Sequence, residues 1–240
     1  MKTHAPQIGF DRYIQLEWAA TALRVRAGTA GLDALHEQLT AARLGVAGTK
    51  KTRTVLNRLW LEPRAELADF AARGVALHTA QPTLPVAALC WGMAVATYPF
   101  FGKIAELVGR LTALQGDCAA AEVHRRMSER YGEREGTRRM TNMVIQSQAS
   151  WGALARVAHG RRLVRREPTV IDHPALTAWL IEAAARYAGK PLAVLGLQSL
   201  PVLFPFTLTQ PLAYVVATNP RFEIREEGLG NALLSVRAGL

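Results

Sequence analysis

The 240-residue sequence predicts a mainly α-helical chain with a few short β-hairpins. Apolar residues recur at three- and four-residue spacing along most of its length, and period-two alternation is confined to short stretches bounded by glycine. A third observation concerns charge. Between Gly136 and Arg166 stand seven arginines (Arg138, Arg139, Arg156, Arg161, Arg162, Arg165 and Arg166) and no Asp or Glu. A solvated surface normally mixes its signs, so one-signed charge on a helix and a hairpin suits an anionic partner.

Taking the elements in order, Asp11 is expected to cap a first helix, Arg12 to Arg26, which Gly28 ends. A second helix runs from Leu32 to Leu44. After the turn Val46-Ala47-Gly48, Thr49 caps a third, Lys50 to Trp60. Glu62-Pro63 opens a fourth, carrying Leu67, Phe70 and Val75. Pro85 starts a helix that Pro99 ends, and another continues to Leu114. Asp117 then caps a helix with the stripe Val123, Met127 and Tyr131, and a turn leads to the helix Thr137 to Ser150. Leu154 to Arg166 reads as a hairpin turning at His159-Gly160. A helix from Pro174 to Tyr187, capped by Asp172, precedes a proline-punctuated apolar stretch and a tail hairpin, Phe222 to Arg225 and Ala232 to Val236, turning around Gly228-Leu229-Gly230. Three regions follow: an N-terminal helical lobe (8–80), a central lobe (81–170) and a C-terminal helical region (171–240), packed together because no low-complexity linker separates them.

Composition narrows the class of partner. A net charge of +10 and a pI near 10.3 attract polyanions whatever the fold. Cys90 and Cys118 have no metal-ligand spacing, which fits a reducing cytoplasm. Met1 to Phe10 lacks the apolar run of a secretory signal. Thr79–Gly102 and Pro191–Pro220 carry no charge and match a membrane span in length, but prolines interrupt both. They are expected to be buried helices of a protein core, with no membrane partner.

The order helix, turn, helix, basic hairpin over residues 117–170 is that of a winged helix-turn-helix, and double-stranded DNA is the partner it suits. On the helix Thr137 to Ser150, Met140, Met143, Val144, Ser147 and Trp151 are expected to face inward. Arg138, Arg139, Asn142 and Gln146 face outward and are base-reading types: Arg grips guanine, and Asn or Gln grips adenine. Arg156, Arg161, Arg162, Arg165 and Arg166 of the hairpin would contact phosphates. A fainter copy lies between Arg43 and Arg58, where Lys50, Lys51, Arg53, Asn57 and Arg58 are the candidate contacts. Thr52-Arg53 with Asn57 echoes Thr137-Arg138 with Asn142.

Catalytic constellations are missing from the sequence, so no enzyme activity, cofactor or metal is expected. Gly45 to Thr52 lacks the gap and the Gly-Lys-Ser/Thr end of a phosphate loop. Two further readings remain open, a protein-interaction scaffold and an RNA binder.

Several short motifs together resemble a known family. Ala96-Thr97-Tyr98-Pro99-Phe100-Phe101, Ile104-Ala105-Glu106-Leu107, Glu129-Arg130-Tyr131-Gly132 and Ser150-Trp151-Gly152 stand in order, with Leu16-Glu17, Asn57-Arg58-Leu59 and Leu203-Phe204-Pro205-Phe206 around them. The likeness is to the BrxA family of BREX bacteriophage-defence systems and covers nearly the full chain, which departs from it in being rich in arginine and alanine. The resemblance implies a soluble helical protein of NusB-like character that binds double-stranded DNA without catalysis, beside a methyltransferase, an ATPase and a phosphatase-like component. It supplies no catalytic residue.

Overall fold

The helical periodicity is realised over most of the described residues. In the computed structural model, which describes residues 9–228 and 231–237, the N-terminal lobe holds α1 (Leu16–Arg26), α2 (Leu32–Ala41), α3 (Val46–Leu56) and α4 (Ala68–Ala80). Then come α5 (Val86–Thr97), α6 (Pro99–Leu111), a short strand β1 (Asp117–Ala119), α7 (Ala120–Tyr131) and α8 (Glu135–Ser150). The hairpin β2 (Leu154–Val157) and β3 (Arg162–Arg165) follows, then β4 (Thr169–Ile171) and α9 (Pro174–Ala188). The C-terminal part contains β5 (Leu192–Ala193), β6 (Phe206–Leu208), α10 (Leu212–Thr218), β7 (Phe222–Glu226) and β8 (Ala232–Val236). Met1 to Ile8, most of the segment judged for a secretory signal, lie outside the described residues, as do Leu229 and Gly230 of the tail turn.

The first charge-free stretch is charge-free because α5 is buried on nearly every side, from Ala88 through Val95. It lies against α9, itself buried from Leu176 to Ala185. Trp91 meets Phe101, Trp151, Phe204 and Phe206 edge-on, and its indole N–H donates to the Val202 carbonyl at 2.9 Å. Trp179 stacks flat on Phe70 at 4.3 Å. One apolar cluster runs from Phe10 to Leu234, so the three regions share a core. The second charge-free stretch differs from the helical expectation: its prolines divide it into short strands, two 3-10 turns (Val194–Ser199 and Pro201–Leu203) and only the seven-residue α10. No helix among the described residues is long and apolar enough to cross a membrane.

Four expected caps are not caps. The first helix begins at Leu16 after Gln15, not at Asp11. The third begins at Val46, so Val46-Ala47-Gly48 is its first turn, and the Thr49 hydroxyl donates to the Leu44 carbonyl at 3.1 Å. Asp117 belongs to β1 and receives Arg162, while α7 starts at Ala120. Asp172 accepts from Thr209 at 2.9 Å and from the Gln210 side-chain amide at 2.5 Å, leaving His173 to cap α9 by accepting from the Leu176 N–H at 3.2 Å. Thr49, Asp117 and Asp172 each found a different partner.

Candidate nucleic-acid interface

Residues 117–165 assemble as strand, helix, turn, helix and hairpin. β3 is central, with β1 antiparallel on one side and β2 on the other, giving the order β1-β3-β2. The β2–β3 turn passes through Ala158, His159 and Gly160, all at positive φ. Such a run suits a tight turn, and His159 is one of the few non-glycine types that tolerate it. Between β1 and β2, α7 buries Val123, Met127 and Tyr131, and Gly132 at φ +89° turns the chain into α8.

α8 is seated by an unusually polar inner face. Thr137, Thr141, Val144, Ile145, Ser147 and Gln148 are buried, whereas Met140 and Met143 are only half-buried. The buried face is therefore rotated from the expected one toward Thr137, Thr141 and Ile145. Thr141 tolerates burial because its hydroxyl donates to the Thr137 carbonyl at 2.8 Å, while Ser147 and Trp151, inward as expected, form a hydrogen-bonded clasp. The Ile14 N–H donates to Ser147 Oγ at 2.8 Å, and the Trp151 indole donates to the Ile14 carbonyl at 2.9 Å. A segment ahead of α1 thus satisfies its own backbone on α8, as a buried backbone must.

The outer face of α8 presents Arg138 and Arg139, both exposed, and Asn142 and Gln146, both half-buried. Among the described residues Arg138, Arg139 and Arg166 have no carboxylate partner. Arg156 of β2 reaches across to Asn142, donating to its Oδ1 at 3.2 Å, so the hairpin and α8 are tied together. Arg161 is exposed and leans on the Ala158 carbonyl at 3.3 Å.

The other two hairpin arginines are engaged. Arg162 pairs with Asp117 across the β1–β3 ladder. Arg165 is half-buried, lies 5.4 Å over the Phe204 ring and donates to the Phe204 carbonyl. Burial lowers its pKa, the mark of a guanidinium withdrawn from water. Arg165→Ala is expected to destabilise the fold by about 1–2 kcal/mol, through lost packing and an orphaned carbonyl. Urea denaturation of the variant beside the parent checks it.

Acidic groups absent from the tract in sequence return in space. Glu129, Glu133 and Glu135 line one groove with His124 and Arg138. Burial pushes the His124 pKa down, and Arg138 and Arg156 push it further, so the imidazole is neutral and adds no charge there.

The N-terminal lobe brings its basic helix to the same region. Lys50, Lys51, Arg53 and Arg58 are exposed and Asn57 is half-buried; Val55, Leu56 and Leu59 turn inward as expected. The Tyr98 hydroxyl anchors α3 by donating to the Val55 carbonyl at 2.9 Å. Lys51 and Arg58 then line a cleft of about 660 Å³ between α3 and the start of α8, joined by Arg134, Asp11 and Met140. Lys50, Arg53 and Asn57 line a separate groove toward α2. The sequence echo extends to burial: Thr52 and Thr137 are each 2 % exposed, and the arginine after each is exposed. It does not extend to position, because Thr52 sits mid-helix.

Sequence reasoning missed β1, Arg134 and the α3–α8 cleft. β1 is a three-residue strand with no periodicity to find, and the cleft requires knowing that two helices eighty residues apart in sequence are neighbours. Arg134, just ahead of the acid-free tract, was the one available signal. Among the described residues no group of three or more His, Cys, Asp or Glu is placed to hold a metal ion. Cys90 and Cys118 are free thiols, and burial pushes them up to about 12 and about 11, away from reactive thiolates. No known protein family, curated protein or solved structure matches this chain.

Proposed function

We propose that the chain is a non-catalytic, double-stranded DNA-binding accessory protein in which residues 117–170 act as a winged helix-turn-helix. α8 lies in the major groove, with Arg138 and Arg139 toward the bases and Asn142 and Gln146 behind them. The β2–β3 hairpin is the wing, and Arg161 and Arg166 are its phosphate contacts. The observation that carries the reading is the combination of the β1-β3-β2 order, the α7–α8 pair between β1 and β2, and unpaired arginines on the outer face of α8. Arg156 positions Asn142, and Arg162 and Arg165 brace the wing. Lys51, Arg58 and Arg134 extend the cationic surface from α8 to α3. The resemblance to the BrxA family adds the context: a BREX-like phage-defence system, with a methyltransferase, an ATPase and a phosphatase-like component as neighbours.

Salt titration of duplex binding tests it. Two phosphate contacts predict a log–log slope of about −2, and engagement of Lys51, Arg58 and Arg134 as well predicts about −4.5. A slope near zero removes the phosphate contacts. The second reading is a scaffold that docks a protein through this face. Glu129, Glu133 and Glu135 favour it, since carboxylates beside Arg138 would repel a phosphate backbone. Stable co-purification with a partner protein, together with a flat salt response, selects that reading.

A further inference from the structure

A second charged concavity lies away from the α8 face. A pocket of about 460 Å³ opens between α6, the last turn of α7, the end of α9 and the Pro201–Leu203 turn. Four cations line it, Lys103, Arg110, Arg130 and Lys190, against the single carboxylate of Glu106. Glu106 is occupied internally: it accepts from the Tyr187 hydroxyl at 2.6 Å and from Lys103 at 3.0 Å, and pairs with Arg110 at 2.6 Å. Burial alone would raise this carboxyl, but these three partners hold it below the ordinary range, so it stays charged. It fixes Tyr187, Lys103 and Arg110 in place. Arg130 and Lys190 are exposed at the mouth and have no carboxylate partner among the described residues. The pocket therefore carries three positive charges more than it neutralises.

Its walls are shaped by two glycines seven residues apart on α6. A Cβ at Gly102 would lie 2.4 Å from the Tyr187 ring, and one at Gly109 would lie 2.1 Å from the Pro201 carbonyl oxygen. Only hydrogen at these positions lets the tyrosine and the 3-10 turn close against α6. The result is an apolar lining of Tyr187, Pro99, Leu200 and Val202 beside the four cations. None of Arg138, Arg139, Arg161 or Arg166 reaches it; Tyr131 alone is shared with the α3–α8 cleft.

We propose that this pocket binds a small organic phosphate of mononucleotide size, its phosphate among Lys103, Arg110, Arg130 and Lys190 and its flat apolar body against the Tyr187 and proline lining. An excess of three positive charges suits a dianion better than a single carboxylate, and the volume falls within the range of roughly 300–1,000 Å³ usual for small-molecule sites. The site stands whether or not α8 binds DNA.

Calorimetric titration of the full chain at low salt tests it, using each of the four common ribonucleoside 5′-monophosphates, inorganic phosphate and adenosine as probes. At least one monophosphate is expected to bind more tightly, by about tenfold or more, than either inorganic phosphate or adenosine. Arg130→Ala with Lys190→Ala should weaken that binding by at least about tenfold with the thermal midpoint unchanged, since both side chains are exposed. Arg138→Ala with Arg139→Ala should leave it intact. The proposal is overturned if no monophosphate binds, if inorganic phosphate binds as well as any of them, or if the α8 pair rather than the pocket pair abolishes binding.

Discussion

Glu182→Ala is expected to destabilise the protein by about 3–5 kcal/mol, the largest effect of any single carboxylate here. Glu182 is 1 % exposed in the middle of α9. It receives both arms of the Arg73 guanidinium at 2.7 Å and the Arg186 Nε at 2.9 Å. Those two guanidiniums lie 5.7 and 5.3 Å from the Phe70 ring, which in turn stacks on Trp179. Truncating the acid leaves two part-buried cations facing each other, Arg73 keeping only the exposed Asp69 at 3.0 Å and Arg186 only a long contact to the Glu66 carbonyl at 3.5 Å. Glu182→Gln keeps the shape and loses the charge, and should cost about half as much. Replacing Glu182, Arg73 and Arg186 together by methionine should recover most of the loss, because an apolar triad removes the charges and their desolvation. Urea midpoints at constant m-value measure all three. A midpoint for Glu182→Ala within experimental error of the parent would mean that the ion cluster contributes nothing.

Reversing Arg138 and Arg139 together to glutamate is expected to weaken duplex binding by two to four orders of magnitude, about 3–5 kcal/mol, from two lost contacts and two new repulsions. Because both side chains are exposed and no carboxylate holds them, the thermal midpoint should stay where it is. Arg162→Glu is the wrong reversal to make. It would set a second carboxylate against Asp117 within the β1–β3 ladder, so lost binding could reflect a lost wing. A mobility shift that is the same for Arg138→Glu/Arg139→Glu and the parent would sink the assignment of α8 to DNA.

Legibility in the sequence varied with how local each determinant is. Helices such as α5 and α9 were readable because a proline opens each and an apolar run fills it. The basic hairpin was readable from its glycine-bounded turn, and the tail hairpin from its alternation. Caps were not, because a capping side chain serves its helix only when no better partner stands nearby. Asp117 had Arg162, and Asp172 had Thr209 and Gln210, each supplied by a segment distant in sequence. The inner face of α8 was legible at Val144, Ser147 and Trp151 but not at its first two turns. Periodicity ranks methionine above threonine as a buried residue, yet Thr137 and Thr141 are buried there, the Thr141 hydroxyl satisfied by the Thr137 carbonyl, and Met140 is half-buried. Of the candidate contacts, the sequence could separate Arg138 from Val144 but not Arg166 from Arg165, since only tertiary structure brings Phe204 to the latter.

The Ile14 clasp has a consequence for synthesis. The Ile14 N–H and carbonyl find their partners only at Ser147 and Trp151, 133 and 137 residues further along. At a ribosomal rate of about 5–20 residues per second, the N-terminal lobe waits on the order of 10 s with these groups open to water. A nascent chain stalled before Ser147 should therefore leave the segment ahead of α1 accessible to protease, and release past Trp151 should protect it. The surface of α8 proposed to meet DNA and the docking of Ile14 are thus completed in the same moment of translation, by opposite sides of one helix.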